Sequence, residues 1–166
     1  MTTGISEKMD KQTVKPIVSV IMAVFNGEKY LIATIESILN QTFKDFELII
    51  VDDASTDGTN EIIRRFMEND KRIKLLTNER NCERAISRNR AIEISTGEYI
   101  ATNDADDISL PDRLARQVDF LQKNPDIAMV GTGFICIDEN GGHLPGDSGS
   151  QQRLPRRSSL GGARRN

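Results

Sequence analysis

The chain alternates short apolar runs, rich in β-branched residues, with segments in which apolar residues recur at helical spacing. The runs cover residues 17–24, 46–51, 73–76, 98–102 and 127–137. In the first spacer Leu31, Ile35 and Ile38 fall on one helical face. Runs that are apolar on both faces and alternate with helices are typical of a parallel sheet with right-handed crossovers. The pattern therefore predicts an α/β fold of the Rossmann-like type, an open, mostly parallel sheet with helices on both faces.

The two ends of the chain differ in composition from its middle. Residues 1–15 are polar without a period, so we interpret them as a flexible lead-in. After Gly141 the chain consists mainly of Gly, Ser, Arg, Gln and Pro. Such a segment buries too little apolar area to offset its ordering entropy, and residues 142–166 are predicted to be a disordered basic tail. The folded domain is expected at residues 16–141.

The formal net charge of -3 hides an asymmetry along the chain. All five arginines after Ser148 lie in a stretch without acids, which leaves the body acidic and argues against nucleic-acid binding. The sequence has neither an apolar run of about 18 residues nor a signal-peptide core, so we expect no transmembrane segment. Cys82 and Cys136 have no metal or redox spacing. These features favour the cytoplasm, with peripheral attachment to the cytoplasmic face of a membrane left open.

Three carboxylates follow the fourth apolar run directly, at Asp104, Asp106 and Asp107. Carboxylates at this density repel one another unless a cation, a proton or a donor-rich ligand compensates them. Asp104 and Asp106, two residues apart, can converge on one Mg²⁺ or Mn²⁺ that also takes phosphate oxygens. The alternative is a capped turn before Leu110, although three acids exceed what capping needs.

A second acidic pair, Asp52 and Asp53, ends the second apolar run. Ligands of open α/β sheets bind beyond the carboxyl ends of the strands, where Asp53 is placed to accept hydrogen bonds from a ribose or a base N–H. Asp52 and Asp53 are alternatively helix caps, together with Ser55 and Asp57. The loop after the first run has one glycine, so both the dinucleotide turn and the phosphate loop are absent. A metal ion would then have to neutralise the phosphate.

Ordered matches over residues 16–141 give these features a family context. The chain resembles the N-terminal half of family 2 glycosyltransferases with the GT-A fold, in segments 18–26, 41–43, 47–59, 88–89, 97–100, 104–107 and 111–114. The resemblance implies a nucleotide-sugar donor, UDP- or GDP-linked, a divalent cation (Mg²⁺ or Mn²⁺), and inverting transfer to a saccharide or glycolipid acceptor. A phosphotransferase or hydrolase is disfavoured because the first strand exit has no D-x-D, and a nicotinamide oxidoreductase because the glycine turn is missing.

The resemblance also assigns residues. The donor-binding set is Ala23, Phe25, Asp53, Arg88, Asp104 and Ala105, and the metal ligands are Asp106 and Asp104 of the D-x-D motif. Ala23 and Phe25 would line the base site and Asp53 would hydrogen-bond the base. The ring of Phe25 is alternatively a core aromatic. Arg88 reaches the diphosphate or forms an ion pair with the acidic loop.

The sequence departs from the family at two glycine positions, occupied by Glu83 and Ala91, and after Gly141. Family members continue beyond this point with the acceptor surface and the carboxylate base, so no catalytic residue is assigned here. We expect an apparently truncated chain that binds the donor with little or no transfer. The alternative is a non-catalytic nucleotide-binding or interaction module. Loss of the second half would expose apolar surface and favour self-association.

Overall fold

The computed structural model describes residues 15–138 and 142–148. The chain divides into two compact units, which we describe separately. The first, here called the sheet unit, comprises Met1–Lys29 and Asp45–Ala105. The second unit comprises Tyr30–Lys44 and Asp106–Asn166.

The sheet unit contains a four-stranded parallel sheet whose strand order is β3-β2-β1-β4. Its strands are β1 (Val18–Val24), β2 (Phe46–Asp52), β3 (Ile73–Thr77) and β4 (Tyr99–Thr102). Every residue of β2 is buried, which is expected of a central strand covered on both faces. The strands begin and end within a residue of the predicted apolar runs, and the predicted open α/β fold is confirmed.

Two helices of the sheet unit cover the sheet. Helix α2 (Thr59–Asn69) packs on β2 and β3, and helix α3 (Glu83–Ile94) packs on β1 and β2. Ala91 of α3 joins a buried cluster with Ile21 and Ile49. The connection through α2 moves outward to β3, whereas the connection through α3 returns across the sheet to β4. Because such crossovers are right-handed, α2 and α3 lie on opposite faces.

A buried glutamate joins the strands near their amino ends. Glu47 Oε1 accepts hydrogen bonds from Ser19 Oγ (2.6 Å) and from the backbone N–H and hydroxyl of Thr96 (2.8 and 2.9 Å). Oε2 pairs with Lys74 Nζ at 2.5 Å. Burial by itself raises the pKa of Glu47, but Lys74 and the hydroxyl and amide donors outweigh it and lower the pKa to about 2. One carboxylate thus connects β1, β2, β3 and the segment before β4.

The second unit contains most of α1 (Glu28–Leu39) and all of α4 (Arg113–Lys123). The fully buried Gln41 links the turn after α1 to the start of α4. Its Nε2 donates to the carbonyl of Leu110 (2.7 Å), and its Oε1 accepts from the backbone N–H of Leu114 (3.0 Å). A buried amide satisfied on both sides fixes this turn.

The predicted fifth strand is much shorter than expected. Only Ile135–Ile137 forms a strand, β5, because Gly131 and Gly133 interrupt the apolar run with residues that disfavour extended structure. β5 pairs antiparallel with β6 (His143–Ser148), a strand that the prediction of a disordered tail at 142–166 did not anticipate. The rest of that tail, and nearly all of the lead-in, lie outside the described residues. None of the helices in the described parts of the chain is long and apolar enough to span a membrane.

Candidate functional site

Most of the predicted donor-binding residues of the sheet unit lie at the carboxyl ends of its parallel strands, and Arg88 lies on α3. The strand order reverses between β1 and β4, which is the position where open α/β sheets form a ligand crevice. The segments beyond the strands stay paired, since the backbone N–H of Asp53 donates to Val24 (2.8 Å) and that of Asn103 to Ile21 (3.0 Å). The loops that leave these strands are therefore anchored close to the sheet.

The loops after β1 and β2 are joined by reciprocal hydrogen bonds. Asn26 adopts a left-handed backbone conformation (φ 52°), its N–H donates to Ser55 Oγ (2.9 Å), and its side-chain oxygen accepts from the N–H of Thr56 (2.8 Å). The N–H of Gly58 donates to the Glu28 carboxylate (2.9 Å). These contacts fix the loop that carries Phe25. Sequence reasoning missed Asn26 and Glu28, because nothing local identifies their partners about 30 residues away.

Ala23 lies near the end of β1, and Phe25 is the residue just beyond the strand. Ala23 is half-buried within the strand. Phe25 is 50% exposed, so its ring is not part of the hydrophobic core. An exposed aromatic ring on a fixed loop can offer a flat face to a planar ligand.

Asp52 is a structural residue. Its side chain is buried, and its two oxygens accept from the N–H of Ser55 (3.0 Å) and from the side-chain amide of Asn60 (2.9 Å). These bonds shape the turn before α2, whose own N-cap, Gly58, provides no side-chain cap. Asp52 is thereby fully engaged in local structure.

Asp53 faces the start of α3 rather than the start of α2. Its Oδ1 accepts from the backbone N–H of Cys82 (2.9 Å) and from the side-chain amide of Asn78. Asp53 is 3% exposed, and this burial raises its pKa, but the donors of Cys82, Asn78 and Ser87 reverse the effect and lower it. Asp53 is therefore an ionised acceptor at neutral pH.

The first acid of the acidic loop is paired with arginines of α3. Arg88 donates to Asp104 Oδ1, and Arg84 lies 3.7 Å from Oδ2. Arg88 Nε is buried and, among the described residues, has no hydrogen-bond partner. Ala105 adjoins the loop after β1, where a Cβ added at Gly27 would lie 4.0 Å from the Ala105 Cβ. The structure thus brings Arg88 and Asp104 together, as the ion-pair alternative expected.

Asp106 and Asp107 belong to the second unit, and both are exposed. In that unit the guanidinium of Arg113, the first residue of α4, is largely buried. Burial lowers the pKa of Arg113, and the charge of Asp107 acts in the opposite direction. The acidic loop therefore continues into a unit where a buried cation faces its last carboxylate.

The carboxylates of the acidic loop fit a hard divalent cation, which would need further ligands. Within the described ranges no group of three or more His, Cys, Asp or Glu side chains is arranged to hold a metal. Asp104 and Asp106 provide carboxylate oxygens, the ligand type that Mg²⁺ and Mn²⁺ prefer. Mg²⁺ usually keeps several waters and takes phosphate oxygens besides one or two carboxylates, so acids of this kind fit the chemistry of such an ion.

The structure accounts for both departures from the family's glycines. Glu83 lies in the left-handed region, with φ 70°, so a conformation natural to glycine is retained here by a glutamate. Ala91 is fully buried in the interface between α3 and the sheet. The backbone at Glu83 therefore carries strain that a glycine would not.

Comparison with known proteins identifies relatives of this chain. Residues 19–164 match the family model described as glycosyl transferase family 2. An uncharacterized glycosyltransferase of Methanocaldococcus jannaschii is 50% identical over 132 residues, covering 78% of this chain and 46% of the relative. The O-antigen biosynthesis glycosyltransferase WbnJ of Escherichia coli is 42% identical over 128 residues, covering 75% and 49%. The chain therefore spans about half the length of the curated relatives it matches.

Two solved structures share the fold. Residues 1–349 of TarS of S. aureus in complex with UDP-GlcNAc superpose with a TM-score of 0.62 at 28% identity, covering 69% of this chain and 36% of that TarS chain. The mannosyltransferase PcManGT of Pyrobaculum calidifontis, in complex with GDP-Man and Mn²⁺, gives a TM-score of 0.62 at 30% identity, covering 69% and 34%.

Proposed function

Because the chain belongs to glycosyltransferase family 2, we propose that it binds a nucleotide-diphosphate sugar and that the protein transfers the sugar to an acceptor with inversion. The observation that carries the proposal is the set of side chains at the carboxyl edge of the sheet. An ionised acceptor (Asp53), an exposed ring (Phe25) and a carboxylate (Asp104) lie beyond the strands of one unit, and Arg88 of its helix α3 pairs with Asp104. These groups match a base, a diphosphate and its counterion.

In this proposal four residues of the sheet unit line the nucleotide. The ring of Phe25 stacks on the nucleobase, and the small side chain of Ala23 leaves room for it. Asp53 accepts a hydrogen bond from a base N–H, because an ionised carboxylate only accepts. Arg88 turns one guanidinium edge to the diphosphate, for which its buried Nε is an available donor.

A divalent cation, Mg²⁺ or Mn²⁺, is proposed at Asp104, Ala105 and Asp106. The two carboxylates would hold it. The small side chain of Ala105, between the two acids, would leave room for the diphosphate beside the backbone. The bound ion would supply charge neutralisation for the leaving nucleoside diphosphate. The Mn²⁺ and GDP-Man in the PcManGT complex support this assignment.

We propose that the acceptor site and the base that activates the acceptor are formed by residues other than those named above. Inverting substitution needs a base within hydrogen-bond reach of the attacking hydroxyl. The acceptor is proposed to be a saccharide or glycolipid of a surface polysaccharide, as the name of the WbnJ relative suggests. The proposed location is the cytoplasm, at the membrane face when the acceptor is a lipid.

The test is calorimetric titration of the chain with UDP, GDP, UDP-GlcNAc and GDP-Man, with and without Mn²⁺. Binding that requires Mn²⁺ and is lost in Asp106→Asn supports the proposal. Asp119→Asn, at an exposed acid of α4, is the matched control and should bind like the unchanged chain. Absence of metal-dependent binding to all four ligands would refute the proposal. Hydrolysis of UDP-GlcNAc, abolished by Asp106→Asn, would exclude the alternative of a non-catalytic module.

Self-association through apolar surface is a further proposal. In the described parts of the chain β4 is an edge strand of the four-stranded sheet, and Ile100 on it is exposed. Edge strands with exposed apolar side chains promote association. Analytical ultracentrifugation should detect oligomers that Ile100→Lys reduces, and a monodisperse monomer at all concentrations would contradict this expectation.

A further inference from the structure

The side chain of Asn78, the residue after β3, is held on all sides by hydrogen bonds within the sheet unit. It is 3% exposed. Its amide nitrogen donates to Asp53 Oδ1 and to Ser87 Oγ, the latter at 2.8 Å. Its amide oxygen accepts from Arg90 Nη1. Both hydrogens and the oxygen of the amide are thus used.

The orientation of this amide follows from chemistry. A guanidinium can only donate and an ionised carboxylate can only accept. Arg90 must therefore face the amide oxygen of Asn78, and Asp53 must face its nitrogen. The backbone is fixed as well, since the N–H of Asn78 donates to the carbonyl of Asp52 (2.9 Å). A flipped amide would turn its NH₂ group toward Arg90 and its oxygen toward the Asp53 carboxylate. A donor would then face a donor, and an acceptor would face an acceptor.

We infer that Asn78, oriented by Arg90 and Ser87, is a positioning residue that holds the Asp53 carboxylate for nucleobase selection. This inference rests on the proposed function. With Oδ1 engaged by Asn78 and Cys82, the carboxylate cannot rotate freely toward whichever base enters. A carboxylate held in one orientation presents the same acceptor geometry to every base, which is the condition for discrimination between bases.

The class of base follows from the fixed acceptor. Uracil and guanine carry a hydrogen on the ring nitrogen of their pairing edge, whereas cytosine and adenine carry a lone pair there. A carboxylate held opposite this ring nitrogen attracts uracil and guanine and repels cytosine and adenine. The site is therefore inferred to select UDP over CDP, or GDP over ADP, and to lose this selection when the carboxylate is released.

The experiment compares Kd values for UDP, CDP, GDP and ADP in Mn²⁺ across four proteins: the unchanged chain, Asn78→Ala, Arg90→Ala and Asn78→Asp. Asn78→Ala removes the donor to Asp53, and Arg90→Ala removes only the group that orients it. Both should reduce the base preference about tenfold, the scale of one hydrogen bond to a charged group. Binding of inorganic pyrophosphate with Mn²⁺ should stay unchanged. Asn69→Ala, an exposed asparagine of α2, is the control.

Asn78→Asp adds a measurement, the pH dependence of binding, that would not change if Asn78 had only a structural role. It places a second carboxylate against Asp53, which raises the pKa of the pair. Base-selective binding should therefore be weak near neutral pH and recover partly toward about pH 5 as one proton binds. The unchanged chain should show no such recovery.

The outcomes separate this inference from the proposed function. If the unchanged chain binds none of the four nucleotides, the proposed function fails, and the inference fails with it. If the chain prefers UDP or GDP, and Asn78→Ala and Arg90→Ala retain that preference undiminished, the inference alone is overturned. If Asn78→Ala proves unfolded by circular dichroism, Arg90→Ala and Asn78→Asp decide the question.

Discussion

Arg88 donates a hydrogen bond to Asp104, the first carboxylate of the D-x-D motif, across 16 residues of sequence. The pair is only partly exposed, at 31% and 39% of the two side chains. A cation that approaches Asp104 must therefore compete with a guanidinium that is already in place. In the proposed function this relationship would couple metal binding to nucleotide binding, because a diphosphate could take over the arginine that the metal displaces.

Arg88→Ala should separate these two effects. Without the competing guanidinium, Mn²⁺ alone should bind about two to five times more tightly, the range expected for a partly exposed ion pair. The Kd for UDP in saturating Mn²⁺ should rise at least about tenfold, because a charge-assisted contact to the diphosphate is lost. Electron paramagnetic resonance measures free Mn²⁺, and calorimetry measures UDP. Arg116→Ala, which breaks an exposed ion pair of α4, should change neither constant. Weaker binding of Mn²⁺ alone to Arg88→Ala would contradict the competition.

The parallel strands were predictable because their periodicity is local. A strand buried on both faces reads as a nearly continuous apolar run, and β1 and β2 follow that rule apart from Ser19 and Glu47. The run at 127–137 fails because two glycines interrupt it. The pattern cannot account for a strand whose partner lies in a segment with little apolar content, and β6 is such a partner.

The acids of the site were predictable from their position at strand ends, but their partners were not. Asp53 meets Asn78 and Cys82, which lie 25 and 29 residues further along the chain. Only the crossover through β3 brings them close, and no local period encodes it. Glu47 is a signal that the sequence does carry, since a lone glutamate inside an apolar strand requires a partner for its charge. Lys74 on β3 is that partner.

Glu83→Gly should stabilise the protein by about 0.5–1 kcal/mol. Glycine adopts the left-handed conformation of this residue without a steric cost, although it gains entropy in the unfolded chain and loses a carboxylate from the first turn of α3. Urea denaturation measures the difference. Glu83→Ala is the matched control, because it removes the same carboxylate but keeps the strain, and it should not stabilise. Equal effects of the two substitutions would show that φ is not the cause.

Glu47→Gln should lower the free energy of unfolding by roughly 2–3 kcal/mol at pH 7, because it removes the charge that pairs with Lys74. The pKa of Glu47 is about 2 in the folded protein against an ordinary 4.5, so the folded state binds this proton less readily. The stabilisation is therefore complete above about pH 4.5 and is lost as the pH falls toward 2. The unchanged chain and Glu47→Gln should accordingly converge in stability in acid.

Thermal denaturation from pH 7 to pH 3 measures this convergence. Glu68→Gln, at an exposed glutamate of α2, serves as the control and should follow the unchanged chain throughout. A constant difference between Glu47→Gln and the unchanged chain across this range would show that the charge of Glu47 does not carry the effect.

Gly97→Ala should destabilise the sheet unit by about 2–4 kcal/mol, the range of strong overpacking. A Cβ at this position would lie 2.5 Å from the backbone nitrogen of Ser19 and 2.8 Å from its Oγ. Backbone atoms of β1 cannot move aside as the end of a flexible side chain can. The N–H of Gly97 also donates to Ser19 Oγ (2.9 Å), so a displaced strand would disturb the bonds that Ser19 makes to Glu47.

Gly131→Ala provides the matched comparison, because nothing lies within 4 Å of the added Cβ. It should change the free energy of unfolding by less than about 0.5 kcal/mol, as open surface positions do. Both variants add one methyl group to a glycine, so their difference isolates the close approach of the chain before β4 to β1. Urea denaturation of the two proteins at one pH measures it. Equal stabilities would mean that the segment at Gly97 can shift away from Ser19 without cost, and that the Glu47 network tolerates displacement of its neighbouring strands.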